Sequence, residues 1–101
     1  MRIILKAKLD HEKFNAAVKA GSAGKKIKKI LDETKPEAAY FTDEHGHRCA
    51  ILILNMKDAS QIPFFVEPWF LTFKADCQVN IAMTQEDLGK AGLDEIGKKW
   101  A

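Results

Sequence analysis

The sequence has no apolar run of the roughly 20 residues that a membrane-spanning helix requires, because charged residues interrupt every stretch well before that length. It has two cysteines, Cys49 and Cys77, too few for the disulfide framework of a small secreted domain. They read as buried small hydrophobes in a reducing compartment. Three prolines and six glycines in 101 residues exclude a collagen-like or low-complexity chain. A formal net charge of +2 supplies no field that would gather nucleic acid. No internal repeat is present, and no catalytic or ligand motif is strong enough to name a reaction. What remains is ordinary globular material, 47% hydrophobic and 30% charged, enough for one core without metal or disulfide staples. The opening Met1-Arg2-Ile3-Ile4-Leu5-Lys6 does not read as a signal peptide, since Lys6 and Lys8 break the apolar run and no small-residue cleavage site follows. The expected location is cytoplasmic.

Residues 2 to 9 alternate with period two, placing Ile3, Leu5, Ala7 and Leu9 on one face and Arg2, Ile4, Lys6 and Lys8 on the other, as in a strand. Asp10 suits the N-cap of a helix. Residues 11 to 34 carry two apolar stripes, Phe14/Val18/Gly21 and Ile27/Ile30/Leu31, that point in nearly opposite directions at about 100° per residue. The spacing therefore predicts a short helix, a turn at Gly21-Ser22-Ala23-Gly24, and a longer helix ending near Thr34, with Pro36 as its stop. Ala38 to Thr42 reads as a strand, Asp43-Glu44-His45-Gly46 as a turn, and Cys49 to Met56 as a strand apolar on both faces. Asp58 or Ser60 caps a further helix, with Pro63 in its first turn. Ile62, Phe65, Val66, Trp69 and Phe73 form its stripe, and Pro68 predicts a kink or restart. Asp76 to Met83 alternates again. Thr84 opens a last, weak helix with Leu93, Ile96 and Trp100 as its stripe, weakened by its glycines.

The order strand, helix, strand, strand, helix, strand is the split βαβ pattern of ferredoxin-like α+β folds. Right-handed crossovers then set the spatial order of the strands as fourth, first, third, second, all antiparallel, with both helices on one face. The opposite face, carrying Arg2, Ile4, Lys6, Lys8, Asp76, Gln78, Asn80 and Ala82, is left uncovered. A half-apolar, half-polar sheet face of this kind meets a partner, and the simplest is a second copy across a two-fold axis. The expectation is a domain over residues 1–84, a helical tail over 85–101, and a homodimer.

The element order, the Glu67-Pro68-Trp69-Phe70 segment and the Met83-Thr84-Gln85-Glu86-Asp87-Leu88 tail resemble a small uncharacterised bacterial family of the dimeric α+β barrel superfamily. The resemblance implies the dimer and a pocket between sheet and helices. The superfamily includes cofactor-free monooxygenases, lactone isomerases, haem-degrading enzymes and ligand-sensing domains, so it implies no single reaction.

Several strings invite a chemical reading. On a regular strand His45, His47 and Cys49 would share a face, and these residue types bind zinc or copper; Gly46 in a turn would throw His45 off the ladder and no fourth ligand follows, so no metal is expected. Gly21-Ser22-Ala23-Gly24-Lys25-Lys26 resembles a phosphate cradle but lacks the P-loop spacing, the Ser or Thr after Lys and the preceding strand; a helix break is the preferred reading. Lys25, Lys26, Lys28 and Lys29 read as a solvated helix face partly paired to Asp32 and Glu33, since no aromatic platform accompanies them for nucleic acid. The two thiols, on strands separated by the first, are too far apart for a disulfide.

The candidate ligand-binding residues are Lys6, Lys8, Tyr40, Trp69, Gln78 and Asn80, and the candidate acid–base residues are His47, Tyr40 and Glu67. No cofactor is expected. The first functional reading is a homodimeric domain that binds or senses a small metabolite. The alternative is a cofactor-free monooxygenase or isomerase acting on a small apolar or aromatic substrate. A third has the tail, with exposed Phe64 and Leu71, docking on a partner.

Overall fold

The first and last strands form where apolar and polar residues alternate, the third where an apolar run is buried, and the longer helices where an apolar stripe faces the sheet. A computed structural model describes all 101 residues. Strand β1 (Arg2–Lys8) leads into helix α1 (His11–Lys19), which is capped by Asp10 accepting the Lys13 N–H at 3.0 Å. Gly21, at φ 72°, turns the chain before helix α2 (Ala23–Thr34). Lys35 in left-handed conformation ends α2 directly before Pro36, as the sequence pattern predicts. Strands β2 (Ala38–Glu44) and β3 (His47–Asn55) form a hairpin. A 3-10 turn (Ala59–Gln61) capped by Asp58 leads into helix α3 (Ile62–Phe73), then strand β4 (Asp76–Ile81). Two short helices follow, α4 (Gln85–Lys90) and α5 (Leu93–Lys99).

The sheet order is β2-β3-β1-β4, with every neighbouring pair antiparallel. This is the ferredoxin-like α+β fold in its expected strand order. The core lies on one side of the sheet. Ile3, Leu5 and Ala7 face Leu54, Leu52 and Ala50 across β1 and β3, and Phe14, Ala17, Ile30, Phe65, Val66, Trp69 and Phe73 cover them from the helices. No helix is long and apolar enough to cross a membrane.

Four local expectations change. The hairpin is tighter than a four-residue turn: only His45 (φ 50°) and Gly46 (φ 79°) form it, and Asp43 and Glu44 stay in β2 opposite Arg48 and His47. In α1 the buried pair is Phe14 and Ala17, while Val18 is 51% exposed. A nine-residue helix crossing the sheet buries a narrow stripe, and Arg48, stacked over Phe14 at 4.7 Å, covers its flank. Helix α3 runs unbroken through Pro68. The carbonyl that Pro68 leaves without a donor belongs to Phe64, a residue 51% exposed on the outer side of the helix, where water can reach it. The tail is two helices, not one, because Gly92 adopts φ 72° between them.

Trp69 and Phe73 are wholly buried, and the Trp69 Nε1–H has no acceptor. Phe73→Ala is expected to cost about 3–5 kcal/mol in urea denaturation. Trp69→Phe should cost less than about 1.5 kcal/mol, because it also removes a buried orphan donor whose desolvation opposes folding. Val18→Ala should be close to neutral.

Candidate functional site on the helix-free sheet face

Register fixes which side chains share the face that the helices leave bare. One row across the sheet reads Tyr40, Ile51, Lys6, Gln78. The next row reads Ala38, Ile53, Ile4, Asn80, and on the other side lies Thr42, Cys49, Lys8, Asp76. Five of the six expected ligand-binding residues, Lys6, Lys8, Tyr40, Gln78 and Asn80, therefore stand together on one surface. Trp69 does not. It lies in the core beneath the sheet, sealed from this face by β1 and β3.

The charges on this face are paired. Lys6 donates to Glu44 at 2.5 Å, reaching from β1 over β3 to the far edge strand. Lys8 approaches Asp76 at 3.8 Å, and Arg2 donates to Glu37 at 2.9 Å. The Lys6 bond holds the Glu44 carboxyl below the usual carboxylate range, and the Glu44 bond raises the Lys6 ammonium above the usual lysine range. The pair also explains an oddity of burial. Cys49 lies on the helix-free face, opposite Lys8 and Thr42, and belongs to no part of the helix-side core, yet it is only 1% exposed. The Lys6–Glu44 bond spans the row that holds Cys49, and both charges act on its thiol.

Neither thiol is set up as a nucleophile. Burial and then the Glu44 charge raise Cys49, and burial and then Asp76 push Cys77 up to about 11. Cys77 pairs with Ala7 and faces the helices, so the two thiols lie on opposite faces and both are free.

At one end this face runs into an open cleft of about 420 Å³ lined by Lys8, Asp10, His47, Phe70, Lys74 and Asp76, with Leu9 and Ala75 completing it. The volume falls within the range of small-molecule sites. His47 stacks on His11 with ring centroids 4.2 Å apart, and its Nδ1 lies 3.3 Å from the His45 carbonyl oxygen. Of the three expected acid–base residues, only His47 lines this cleft. Tyr40 is 62% exposed on the sheet face, and Glu67 is exposed on α3, on the other side of the sheet. His45 sits in the turn, and no group of three or more His, Cys, Asp or Glu side chains is gathered closely enough to hold a metal ion.

The expected pocket between sheet and helices is mostly filled. Under β1 and α3 the remaining void is about 10 Å³, roughly one water. The layer opens at the β2 margin, in a groove of about 350 Å³ floored by Phe14, Ile27 and Phe41. Glu44, Asp10 and Lys74 are absent from the sequence expectation. A two-residue reading of His45-Gly46 would have placed Glu44 on the face. Nothing in the linear pattern brings Asp10 and Lys74 together.

No protein-family model matches the chain, and neither does any curated protein. Among solved structures it is similar to a de novo designed protein, Ferredog-Diesel, with a TM-score of 0.47 and 8% sequence identity over 80% of this chain and 85% of that one. At that score the likeness adds nothing to the strand order, which gives the fold by itself.

Glu44→Ala should uncover Cys49, seen as faster alkylation by a thiol reagent at neutral pH. The same variant should flatten the acid limb of the stability curve. A carboxylate whose folded pKa is depressed stabilises above its unfolded pKa, and that contribution is lost as pH falls through the folded value. Lys6→Met should flatten the alkaline limb instead, since a raised lysine loses its contribution as pH climbs through the folded pKa.

Proposed function

We propose that the chain is a homodimeric domain that binds or senses a small anionic metabolite, closed by a second copy seated on the helix-free sheet face. The observation that carries this reading is the row Tyr40, Ile51, Lys6, Gln78 and its neighbours. Ile4, Ile51 and Ile53 give the face an apolar centre that water covers poorly. Tyr40, Gln78, Asn80 and Lys8 surround it with hydrogen-bonding groups that a dry interface would leave unmet. A small ligand with an apolar body and an anionic group satisfies both demands. Lys6 is committed to Glu44, whereas Lys8 is held only at 3.8 Å by a largely exposed Asp76, so Lys8 is the cation available to the ligand.

A second reading, a cofactor-free monooxygenase or isomerase, draws support from one observation: His47 opens on a cleft large enough for a small substrate, and histidine is the usual proton carrier near neutral pH. It requires turnover that His47→Ala abolishes and that Lys8→Met, a binding variant, only weakens.

Light scattering should return twice the 11.3 kDa chain mass for the native protein and a monomer for Ile53→Glu, which places an unpaired charge at the centre of the face. Thermal-shift screening against carboxylate and phosphate metabolites should find compounds that raise the melting temperature by several degrees, with the gain lost in Lys8→Met. A monodisperse native monomer at high concentration, or no stabilising compound across a broad panel, counts against the proposal.

A further inference from the structure

Residues 85–101 are the part of the chain for which its own body has no use. Helices α4 and α5 contain no buried residue, and Leu88, Leu93, Ile96 and Trp100 stand in water, the last 80% exposed. Helices of six and seven residues fall well below the roughly 12–15 residues at which an isolated helix is even marginal. Capping by Thr84 and Asp87 helps α4 locally, but both helices need a surface to lie on.

The dimensions agree. The chain measures 59 × 28 × 19 Å with a radius of gyration of 16.9 Å, against about 13 Å for a compact chain of this length. Its accessible surface is 7203 Å², whereas a compact monomer of this mass exposes about 5,700 Å². The surplus, about 1,500 Å² per chain, exceeds the roughly 800 Å² that each partner gives to a standard interface.

The body has a matching deficit along edge strand β4. Val79 and Ile81 point to the helix side, yet the helical layer stops short of them: Ile81 is 70% exposed, and Val79, which shares an apolar wall with Ile62 of α3, is like it partly exposed. The tail leaves at the rim of the helix-free face, where Thr84 and Asp87 share a 290 Å³ cleft with Arg2, Glu37 and Asn55. A copy seated on that face therefore lies within reach of it. With four carboxylates against three lysines, the tail is close to neutral and no field opposes its approach.

We propose that two copies exchange their tails, each laying the Leu93, Ile96 and Trp100 stripe on the Ile62, Val79 and Ile81 strip of the other. This rests on the sheet-face dimer proposed above and assigns the tail its occupant, a second copy of the same chain. Exchange is isologous, so one contact covers both orphan surfaces twice.

The test mixes two forms of the full-length chain. One is unlabelled with nitrogen-15 and carries a nitroxide at Ala101→Cys, beside the stripe but outside it; Cys49 and Cys77, buried or half-buried with raised pKa values, react slowly with the label. The other is nitrogen-15 labelled and spin-free. Exchange requires that amide signals of Val79 and Ile81 in the spin-free copy broaden, and that Ile96→Asp weaken dimerisation by about tenfold or more while body resonances hold their positions. A dimer by light scattering without that broadening overturns the exchange and leaves the sheet-face dimer standing. A native monomer overturns both. Broadening of Val79 and Ile81 only when label and nitrogen-15 are on the same chain shows the tail folding back on its own body, and also overturns the exchange.

Discussion

Two right-handed crossovers in one four-stranded sheet place their helices on the same side, and this constraint shapes everything else in the molecule. All the large apolar side chains that the fold can bury gather on that side, around Trp69 and Phe73. The opposite side receives whatever the alternating strands do not send to the core. On β3, apolar on both faces, that means Cys49, Ile51 and Ile53; on β1 and β4 it means lysines, Gln78 and Asn80. A central strand apolar on both faces is expected where both faces are covered. Here one of them is covered by nothing in the chain.

The two faces therefore divide the work. Residues of the helix side hold the fold, and only Leu9 and Ala75 at the end of the sheet also border the cleft beside Lys8. Residues of the other side add little to the core, as Cys49 illustrates by being buried under an ion pair rather than within the hydrophobic cluster. This separation allows the proposed ligand groups and the stability to be probed independently, because Lys8 and Gln78 lie on the opposite side of the sheet from Trp69.

Much of this division was legible in the linear sequence. Period-two alternation in β1 and β4 gave the correct facing of every residue on those strands, and the opposed stripes around Gly21 gave the break between α1 and α2. The errors share one physical origin, in that local patterns do not report tertiary cover. Val18 fits the helical period as well as Ala17 does, but only the packing angle on the sheet decides which is buried. Trp69 looked like a possible ligand contact because aromatic stripes line pockets as well as cores, and only the third dimension shows which side of the sheet it occupies. The string Asp43-Glu44-His45-Gly46 reads as a four-residue turn closed by Gly46, whereas Glu44 pairs with His47 in the strand and bonds Lys6, 38 residues earlier. The cleft at the end of the sheet joins four separate segments and has no signature in any one of them.

The Lys6–Glu44 pair decides whether the bare face can be covered at all. Bringing a second apolar surface over an unpaired lysine would leave a buried charge, a change that costs several kcal/mol. Pairing Lys6 across β3 before any partner arrives removes most of that obstacle. The bond spans the row of Cys49 with the two charged ends joined to each other, where an isolated lysine would present a hydrated ammonium. Lys8 has no such arrangement. Its partner Asp76 is exposed and 3.8 Å away, so covering Lys8 leaves a cation short of a counter-charge at the point where the face opens into the His47 cleft. A bound anion supplies that counter-charge. On the proposed function, the pairing of Lys6 lets a partner close over it and the weaker pairing of Lys8 leaves room for a ligand, so both proposed roles trace to how two lysines on one strand are paired.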